Sequence, residues 1–186
     1  YQPQLELGSG RCESVEALLR ATLSDGRPLP APLLVAAAEA EGKIGFLTSS
    51  VLHAAPRQAS VWTNAGLAMR VSVNLATHNL RARGFPDLVA RSLATWGVHA
   101  DRLTLEIVER SMIHNFTEAA ASLRRLKELG VELSLDDFGT GYSCLAYLRQ
   151  LPFDELKVDR AFVHNLNQSL DDRRLVQAII DLAHNF

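Results

Sequence analysis

The chain has 186 residues, of which 47% are hydrophobic and 22% are charged, and this balance excludes a disordered or low-complexity protein. Its 19 basic and 21 acidic residues give a formal charge of −2, which argues against a broad surface for nucleic acid polymers. The apolar stretches fall short of the roughly 20 residues that span a bilayer, and two cysteines are too few for a secreted disulfide framework. We expect a cytoplasmic domain, with a membrane tether elsewhere in a parent protein left open.

Short β-rich runs alternate with amphipathic helical runs along nearly the whole chain, which predicts parallel βα units. The first two predicted strands form a hairpin around Gly8-Ser9-Gly10. The region from Pro32 to Ala65 is predicted to be helical, with a break or kink at Pro56. Six strands are predicted in all, at residues 1–7, 12–19, 70–76, 103–109, 132–138 and 155–162. Further helices are predicted at residues 85–96, 117–129 and 171–186.

A run of parallel βα units either closes into a barrel or stays open as a doubly wound sheet. The glycine-rich motifs GxGxxG and GxxxxGK(S/T), typical of nucleotide-binding open sheets, do not follow the first strands. The barrel is therefore favoured. A complete (β/α)8 barrel needs about 250 residues, so six strands predict that about two βα units are absent from this segment.

Polar residues interrupt each strong strand near its carboxyl end. They are Asn74, Glu106, Asp136 with Asp137, and Lys157 with Asp159. Their spacing matches one βα unit at each step, so we expect these side chains at one rim of the sheet. Any single one is equally well explained as a solvated loop start, but carboxylates gathered at one rim repel each other unless a cation neutralises them.

The oxygen-only composition of this set indicates the kind of cation. Asn, Asp and Glu without His or Cys favour Mg²⁺, Mn²⁺ or Ca²⁺ over a structural zinc. The adjacent pair Asp136 and Asp137 can serve two ions about 4 Å apart, an arrangement that supports phosphoryl chemistry. The sequence therefore predicts a metal site at this rim.

The same residues belong to five short motifs: EALLR at 16–20, VNL at 73–75, EIVE at 106–109, DDFGTGYS at 136–143 and LKVDR at 156–160. In this order and spacing the chain resembles the EAL domain, the bacterial cyclic diguanylate (c-di-GMP) phosphodiesterase family, over essentially all of residues 1–186. The resemblance implies an α/β fold, a modified TIM-type (β/α)8 barrel whose first strand runs antiparallel. It also implies that the last two βα units lie outside this segment.

The resemblance assigns a role to each matching residue. The implied metal ligands are Glu16, Asn74, Glu106 and Asp136, with Asp137 serving a second ion; the implied cofactor is Mg²⁺ or Mn²⁺, with Ca²⁺ inhibitory. Lys157 resembles the residue that positions or activates the attacking water, and Glu16 completes the catalytic pair. The resemblance implies a phosphate contact for Arg20 and a polar contact in the nucleotide pocket for Gln2.

Glu109 resembles the residue that anchors the loop from Phe138 to Ser143, which in this family bears on metal binding and dimerisation. The implied protein is a homodimer through this loop and the following helix, with c-di-GMP as ligand and with flanking sensory or GGDEF domains left open. Two structural alternatives also stay open: an ion pair between Lys157 and Asp159, and a simple exposed charge at Arg20.

The implied activity is hydrolysis of c-di-GMP to linear pGpG in bacterial signalling. Retention of Glu16, Asn74, Glu106, Asp136, Asp137 and Lys157 favours an enzyme over a c-di-GMP receptor, and the DDFGTGYS run disfavours a metal-assisted lyase that uses Lys157 as base. Ala21, Ala76 and Val108 depart from residues common in the family, but none is a ligand. A later glutamate in an EGVE-like motif and a glutamine near a QG pair are missing, so we expect the segment alone to be inactive.

Overall fold

The computed structural model describes residues 1–109, 116–139 and 145–186, and within these ranges it contains eight strands and eight α-helices. The strands are β1 (Gln2–Leu5), β2 (Cys12–Ala17), β3 (Ala21–Thr22), β4 (Pro28–Leu29), β5 (Arg70–Leu75), β6 (Leu103–Val108), β7 (Glu132–Phe138) and β8 (Glu155–Val158). The helices are α1 (Ala31–Ala40), α2 (Ile44–Asn64), α3 (Thr77–Arg81), α4 (Phe85–Trp96), α5 (Phe116–Glu128), α6 (Leu145–Gln150), α7 (Arg160–His164) and α8 (Leu170–Asn185).

Six of the strands form one sheet in the order β1-β2-β5-β6-β7-β8, and β3 and β4 form a separate pair. β1 is antiparallel to β2, whereas every later neighbour in the large sheet is parallel. The predicted hairpin, the six strands and their parallel arrangement are thereby confirmed. Because the strands are parallel, the carboxyl ends of β2, β5, β6, β7 and β8 lie along the same edge.

The hydrophobic core lies between this sheet and helices α2, α4 and α5. The central strand β6 is the most deeply buried, with Leu105 and Ile107 both at 0% exposure. Leu52 of α2, Val89 of α4 and Leu123 of α5 belong to the same buried cluster. Full burial of such a side chain stabilises the fold by roughly 1.5–3 kcal/mol, so this core fixes the strands that carry the rim residues.

The helical region after β4 differs from the prediction. The break falls at Gly42, which has a φ of 64°, while α2 continues through Pro56. Proline cannot donate the usual hydrogen bond to the carbonyl four residues earlier, which belongs to Leu52. The hydroxyl of Ser92 on α4 donates to that Leu52 carbonyl instead. A neighbouring helix thus satisfies the acceptor that Pro56 leaves open, and the predicted break at Pro56 was wrong.

The last predicted strand is also shorter than expected. β8 ends at Val158 rather than at Phe162, because Asp159 caps the next helix and accepts a hydrogen bond from the Ala161 N–H at 2.7 Å. Ser169 caps α8 in the same way, with its hydroxyl accepting a hydrogen bond from the Asp172 N–H at 3.1 Å. The other predicted boundaries agree with the structure within two residues. Among the described helices, none combines the length and hydrophobicity that a membrane crossing requires.

Candidate active site

Three carboxylates converge on one ammonium group at the carboxyl edge of the sheet. Lys157 Nζ lies 2.9 Å from Glu106 Oε2 and 3.4 Å from both Glu16 Oε2 and Asp136 Oδ2. The Asn74 amide joins the group, since its Nδ2 donates to Glu16 Oε1 at 2.8 Å. We call these five residues, Glu16, Asn74, Glu106, Asp136 and Lys157, the rim cluster. The structure therefore brings together most of the side chains that the sequence places at one rim.

Strand register explains why the rim cluster forms. Asn74 of β5 is paired with Glu106 of β6 at the same height in the sheet. Asp136 of β7 is paired with Val108, so it stands two residues further toward the carboxyl edge than Glu106. Lys157 lies on β8, the neighbour of β7 at the edge of the sheet, and its long side chain reaches both Glu106 and Asp136. Parallel strands of matched register thus deliver polar side chains from five separate segments to one place.

A bulge in β7 separates the two neighbouring aspartates. Leu135 pairs with Leu156 and Phe138 pairs with Val158, so Asp136 and Asp137 together stand opposite the single residue Lys157. Asp137 has a φ of 56°, in the left-handed region that residues other than glycine rarely occupy. Such a bulge changes the direction of one side chain relative to regular alternation. It lets Asp136 reach Lys157 while the Asp137 carboxyl lies near Asp159.

Glu106 is the most buried acid of the rim cluster, with a side-chain exposure of 0%. Its Oε1 is buried without a hydrogen-bond partner among the described residues, and its Oε2 has the Lys157 ammonium beside it. Burial raises the pKa of Glu106 to about 7, against the opposing attraction of Lys157 and with further repulsion from Glu16 and Asp136. An acid with this pKa exchanges a proton near neutral pH.

The Lys157 ammonium is stabilised in its charged form. Although burial alone would lower the pKa of Lys157, the contact with Glu106 and the charges of Asp136 and Glu16 raise it above the ordinary lysine value. Lys157 is therefore a cation at neutral pH, suited to donate hydrogen bonds rather than to accept a proton. The alternative ion pair with Asp159 is wrong, because the described side chains place Lys157 on three other carboxylates.

Asp159, which the sequence places at the rim with a possible ion pair to Lys157, has a different role in the structure. Its carboxylate caps α7 and also lies close to Asp137, whose pKa is raised first by burial and then by the charges of Asp136 and Asp159. The signal in the sequence was the spacing of two residues between Lys157 and Asp159 at the end of a strand. That spacing fits a helix cap directly after the strand as well as it fits a salt bridge.

The two predicted ligand contacts lie beside the rim cluster and outside it. Gln2 is exposed on β1, where its backbone is paired with Glu16. Arg20 is exposed, and its Nη1 donates to the Leu19 carbonyl at 2.9 Å. Arg20 and Asn74 line a common cavity of about 490 Å³, whose walls are mainly apolar side chains of α1 and α2. Arg20 thus lines the same cavity as Asn74 of the rim cluster, and among the described contacts none joins it to the carboxylates of the cluster.

Glu109 directly follows β6 and is buried at 7% exposure. Its Oε2 accepts a hydrogen bond from the Gly139 N–H at 3.3 Å, across from the end of β7. Gly139 has a φ of 98°, and a Cβ there would stand 3.1 Å from Phe162, so any other residue at this position would be strained. The rest of the predicted loop, residues 140–143, and Cys144 lie outside the described residues.

The donor chemistry of the rim cluster fits a hard divalent cation. It offers carboxylate and amide oxygens only, and the buried Glu106 Oε1 without a hydrogen-bond partner among the described residues is an oxygen available to such an ion. In the described part of the chain, however, no three acidic, histidine or cysteine side chains are close enough to hold a metal as they stand. The Lys157 ammonium is located where the three carboxylates converge, so an ion at that point requires Lys157 to move aside.

Comparison with known proteins supports the resemblance. The family model described as EAL domain matches residues 1–186. The chain is 42% identical over 184 residues to the cyclic di-GMP phosphodiesterase NbdA of Pseudomonas aeruginosa, covering 98% of this chain and 24% of NbdA. It is 34% identical to a second cyclic di-GMP phosphodiesterase of that bacterium, covering 98% of this chain and 31% of the relative. The chain thus spans less than a third of the length of these curated relatives.

Solved structures give the same result for the fold. The structure of the PaMucR phosphodiesterase in complex with c-di-GMP superposes with a TM-score of 0.93 at 34% identity, covering all of this chain and 75% of that one. The FimX EAL domain from Pseudomonas aeruginosa bound to c-di-GMP has a TM-score of 0.88 at 21% identity, which bears on the fold alone. The described sheet and helices therefore match a TIM-barrel-like fold with an antiparallel first strand, as predicted.

Proposed function

Because the chain belongs to the EAL domain family, we propose that it hydrolyses c-di-GMP to linear pGpG with the help of Mg²⁺ or Mn²⁺ bound at the rim cluster. The observation that carries this proposal is the convergence of Glu16, Glu106 and Asp136 on Lys157 at the carboxyl edge of the sheet. In barrel folds this edge is where catalytic side chains gather. Relatives named as cyclic di-GMP phosphodiesterases support the same substrate.

The rim cluster would hold the divalent ions through Glu16, Asn74, Glu106 and Asp136, with Asp137 serving a second ion. When bound, such ions supply Lewis-acid polarisation of the phosphoryl oxygens. Cations held by these acidic side chains would explain how a chain with a net charge of −2 accommodates an anionic ligand. Ca²⁺ would occupy the same oxygens without supporting turnover, which makes it useful for measuring binding.

Lys157 would act on the water and the phosphate as a cation. Its raised pKa keeps it protonated at neutral pH, so it can donate a hydrogen bond that orients the attacking water or stabilises charge on a phosphoryl oxygen. This reasoning favours a positioning and electrostatic role for Lys157 over that of a general base. In the overall step, a bond forms between the water oxygen and phosphorus, the bond from phosphorus to the 3′ oxygen breaks, and one proton goes to that 3′ oxygen.

Arg20 and Gln2 would contact the dinucleotide outside the rim cluster. The Arg20 guanidinium uses one nitrogen on the Leu19 carbonyl, and its charge-assisted donors suit a phosphate at the mouth of the neighbouring cavity. Gln2 stands beside Glu16 on the adjacent strand, within reach of a ligand held there. Dimerisation through the loop and helix after Asp137, of which α6 is described, remains a prediction, as does a cytoplasmic location.

The decisive experiment is chromatographic detection of pGpG from c-di-GMP with Mn²⁺, using the protein that carries these 186 residues. Lys157→Ala is expected to abolish most turnover while c-di-GMP binding measured with Ca²⁺ persists. Lys127→Ala is the matched control, because Lys127 pairs with Asp154 at the opposite end of the sheet. Binding of c-di-GMP without any turnover by the wild-type protein would assign a receptor, and absence of binding would contradict the proposal altogether.

A further inference from the structure

A second polar pocket lies at the amino ends of the parallel strands, at the opposite end of the sheet from the rim cluster. Its volume is about 410 Å³, and three of its six lining residues are arginines. The lining consists of Arg11, Cys12, Glu13, Ala68, Arg70 and Arg102. Cys12 begins β2, Arg70 begins β5 and Arg102 directly precedes β6. Arg70 and Asn74 are four positions apart on β5, about 13 Å at 3.3 Å per residue, so the two sites are distinct.

Two of the three guanidinium groups are already held in place. Arg70 Nη1 pairs with Glu132 Oε2 at 2.5 Å, and that carboxylate also accepts from Thr104 Oγ1 at 3.4 Å. Arg102 Nη1 donates to the Ala68 carbonyl at 2.7 Å. Each contact occupies one nitrogen, and the described residues provide no hydrogen-bond partner for the remaining N–H groups of either side chain. The pocket therefore presents fixed, unused donors, which lowers the entropic cost of binding an acceptor.

The charge of the pocket favours an anion. Arg11, Arg70 and Arg102 contribute three positive charges, and among the described residues Glu13 in the lining and Glu132 behind it pair with two of them. Arg11 is 77% exposed, and its side chain has two long contacts, 3.7 Å to Glu13 and 3.4 Å to the Ser9 hydroxyl. Arginine forks match the geometry of phosphate oxygens and can bind them through two parallel hydrogen bonds.

We infer that this pocket is a second binding site, for a small molecule that carries a phosphate group. Its volume lies within the range of about 300–1,000 Å³ typical of small-molecule sites, so a phosphate together with a compact organic group fits. The inference does not depend on the proposed hydrolysis, because none of these residues belongs to the rim cluster. Cys12, exposed at the pocket wall, provides a local reporter of occupancy.

The test measures how fast Cys12 reacts with iodoacetamide, followed by peptide mass spectrometry, with pyrophosphate as the probe. Chelator is present throughout, so that the rim cluster holds no divalent ion. In the wild-type protein, pyrophosphate at ten times its dissociation constant is expected to slow alkylation of Cys12 about tenfold, because a bound anion shields the thiol. The double variant Arg11→Gln with Arg102→Gln is expected to lose this protection. Arg125→Gln, which removes an exposed arginine paired with Asp87, is expected to keep it.

Several results would overturn the inference. Equal protection of Cys12 by sodium chloride of the same ionic strength would reduce the effect to general screening. Unchanged protection in the double variant would show that Arg11 and Arg102 do not hold the anion. Loss of protection in Arg20→Gln, with protection retained in the double variant, would place the anion at Arg20, beside the rim cluster, instead. The melting temperature of each variant is measured as well, and alkylation is compared well below it, so that unfolding does not mimic loss of binding.

Discussion

The two ends of the central sheet treat their acidic residues in different ways. At the amino end three acids each have a partner of their own: Glu132 pairs with Arg70, Asp154 with Lys127, and Glu155 accepts from Ser134. At the carboxyl end Glu16, Glu106 and Asp136 share the single ammonium of Lys157. The same chain thus builds satisfied ion pairs at one end and a cluster short of positive charge at the other.

This difference suits the acids at the amino end to a structural role and those at the carboxyl end to the binding role that we propose. A satisfied pair near the surface contributes little to stability and attracts nothing further. Buried carboxylates that exceed their cations cost free energy, because burial disfavours their charged forms. Such a cluster persists where binding a cation repays the cost. In our proposal, the carboxyl end is therefore the end at which the fold gives up stability for cation binding.

The largest expected effect comes from removing the shared cation. Lys157→Met keeps most of the apolar stem but leaves three carboxylates without an ammonium, so we expect the metal-free protein to lose roughly 3–5 kcal/mol of unfolding free energy. Urea unfolding in the presence of chelator measures this loss, and added Mg²⁺ should recover part of it. A variant within about 1 kcal/mol of the wild type would show that the cluster carries no such charge deficit.

A smaller effect is expected from the titration of Glu106. Its folded pKa of about 7 lies above the ordinary glutamate value, so the folded state binds this proton more tightly than the unfolded state. That contribution to stability is complete below about pH 4.5 and is lost as the pH rises through about 7. Lys157, whose pKa is also raised, loses its contribution only in alkaline solution, outside this window.

Between pH 5 and pH 8, metal-free wild-type protein should therefore lose stability on the order of 2 kcal/mol relative to Glu106→Gln, which has no carboxyl to titrate. Urea unfolding at the two pH values gives the comparison directly. The raised pKa of Asp137 affects both proteins alike and cancels. Parallel pH dependence of the two proteins would show that Glu106 stays ionised in the fold.

The smallest effect is expected at the amino end. Lys127→Met removes a partly exposed ion pair, and Asp154 keeps its hydrogen bond from the Leu133 N–H at 2.9 Å. The loss of unfolding free energy should not exceed about 1 kcal/mol, and Mg²⁺ should not change it. A loss as large as that of Lys157→Met would remove the contrast between the two ends.

Much of the fold could be predicted from the sequence, because the elements there follow strong local patterns. Helix α4 has its predicted bounds, since Pro86 and Gly97 mark its ends and apolar residues recur at helical spacing. The break after β4 could not be placed, because the Ser92 hydroxyl that replaces the hydrogen bond lost at Pro56 comes from a distant helix. Tertiary contacts of this kind leave no local signal.

The candidate site likewise has features that the sequence predicts and features that depend on tertiary structure. Spacing predicted that Asn74, Glu106, Asp136 and Lys157 share a rim, because strand ends at regular βα intervals meet there. The partners of Lys157 could not be read from spacing, because they depend on the bulge that puts Asp136 and Asp137 opposite it. The role of Asp159 could not be predicted for a different reason. The sequence does not show that β8 ends at the residue before Asp159, which leaves Asp159 to cap α7.

The most direct test of a cation site at the carboxyl end is calorimetric titration of metal-free protein with Mn²⁺. The expected result is binding by the wild type and by Asp154→Asn, which alters an acid at the amino end, with much weaker binding by Asp136→Asn. The two variants remove equal charge from the same protein, so the comparison isolates position from net charge. Equal affinity in all three proteins, or no binding by the wild type, would contradict a divalent cation site at the rim cluster.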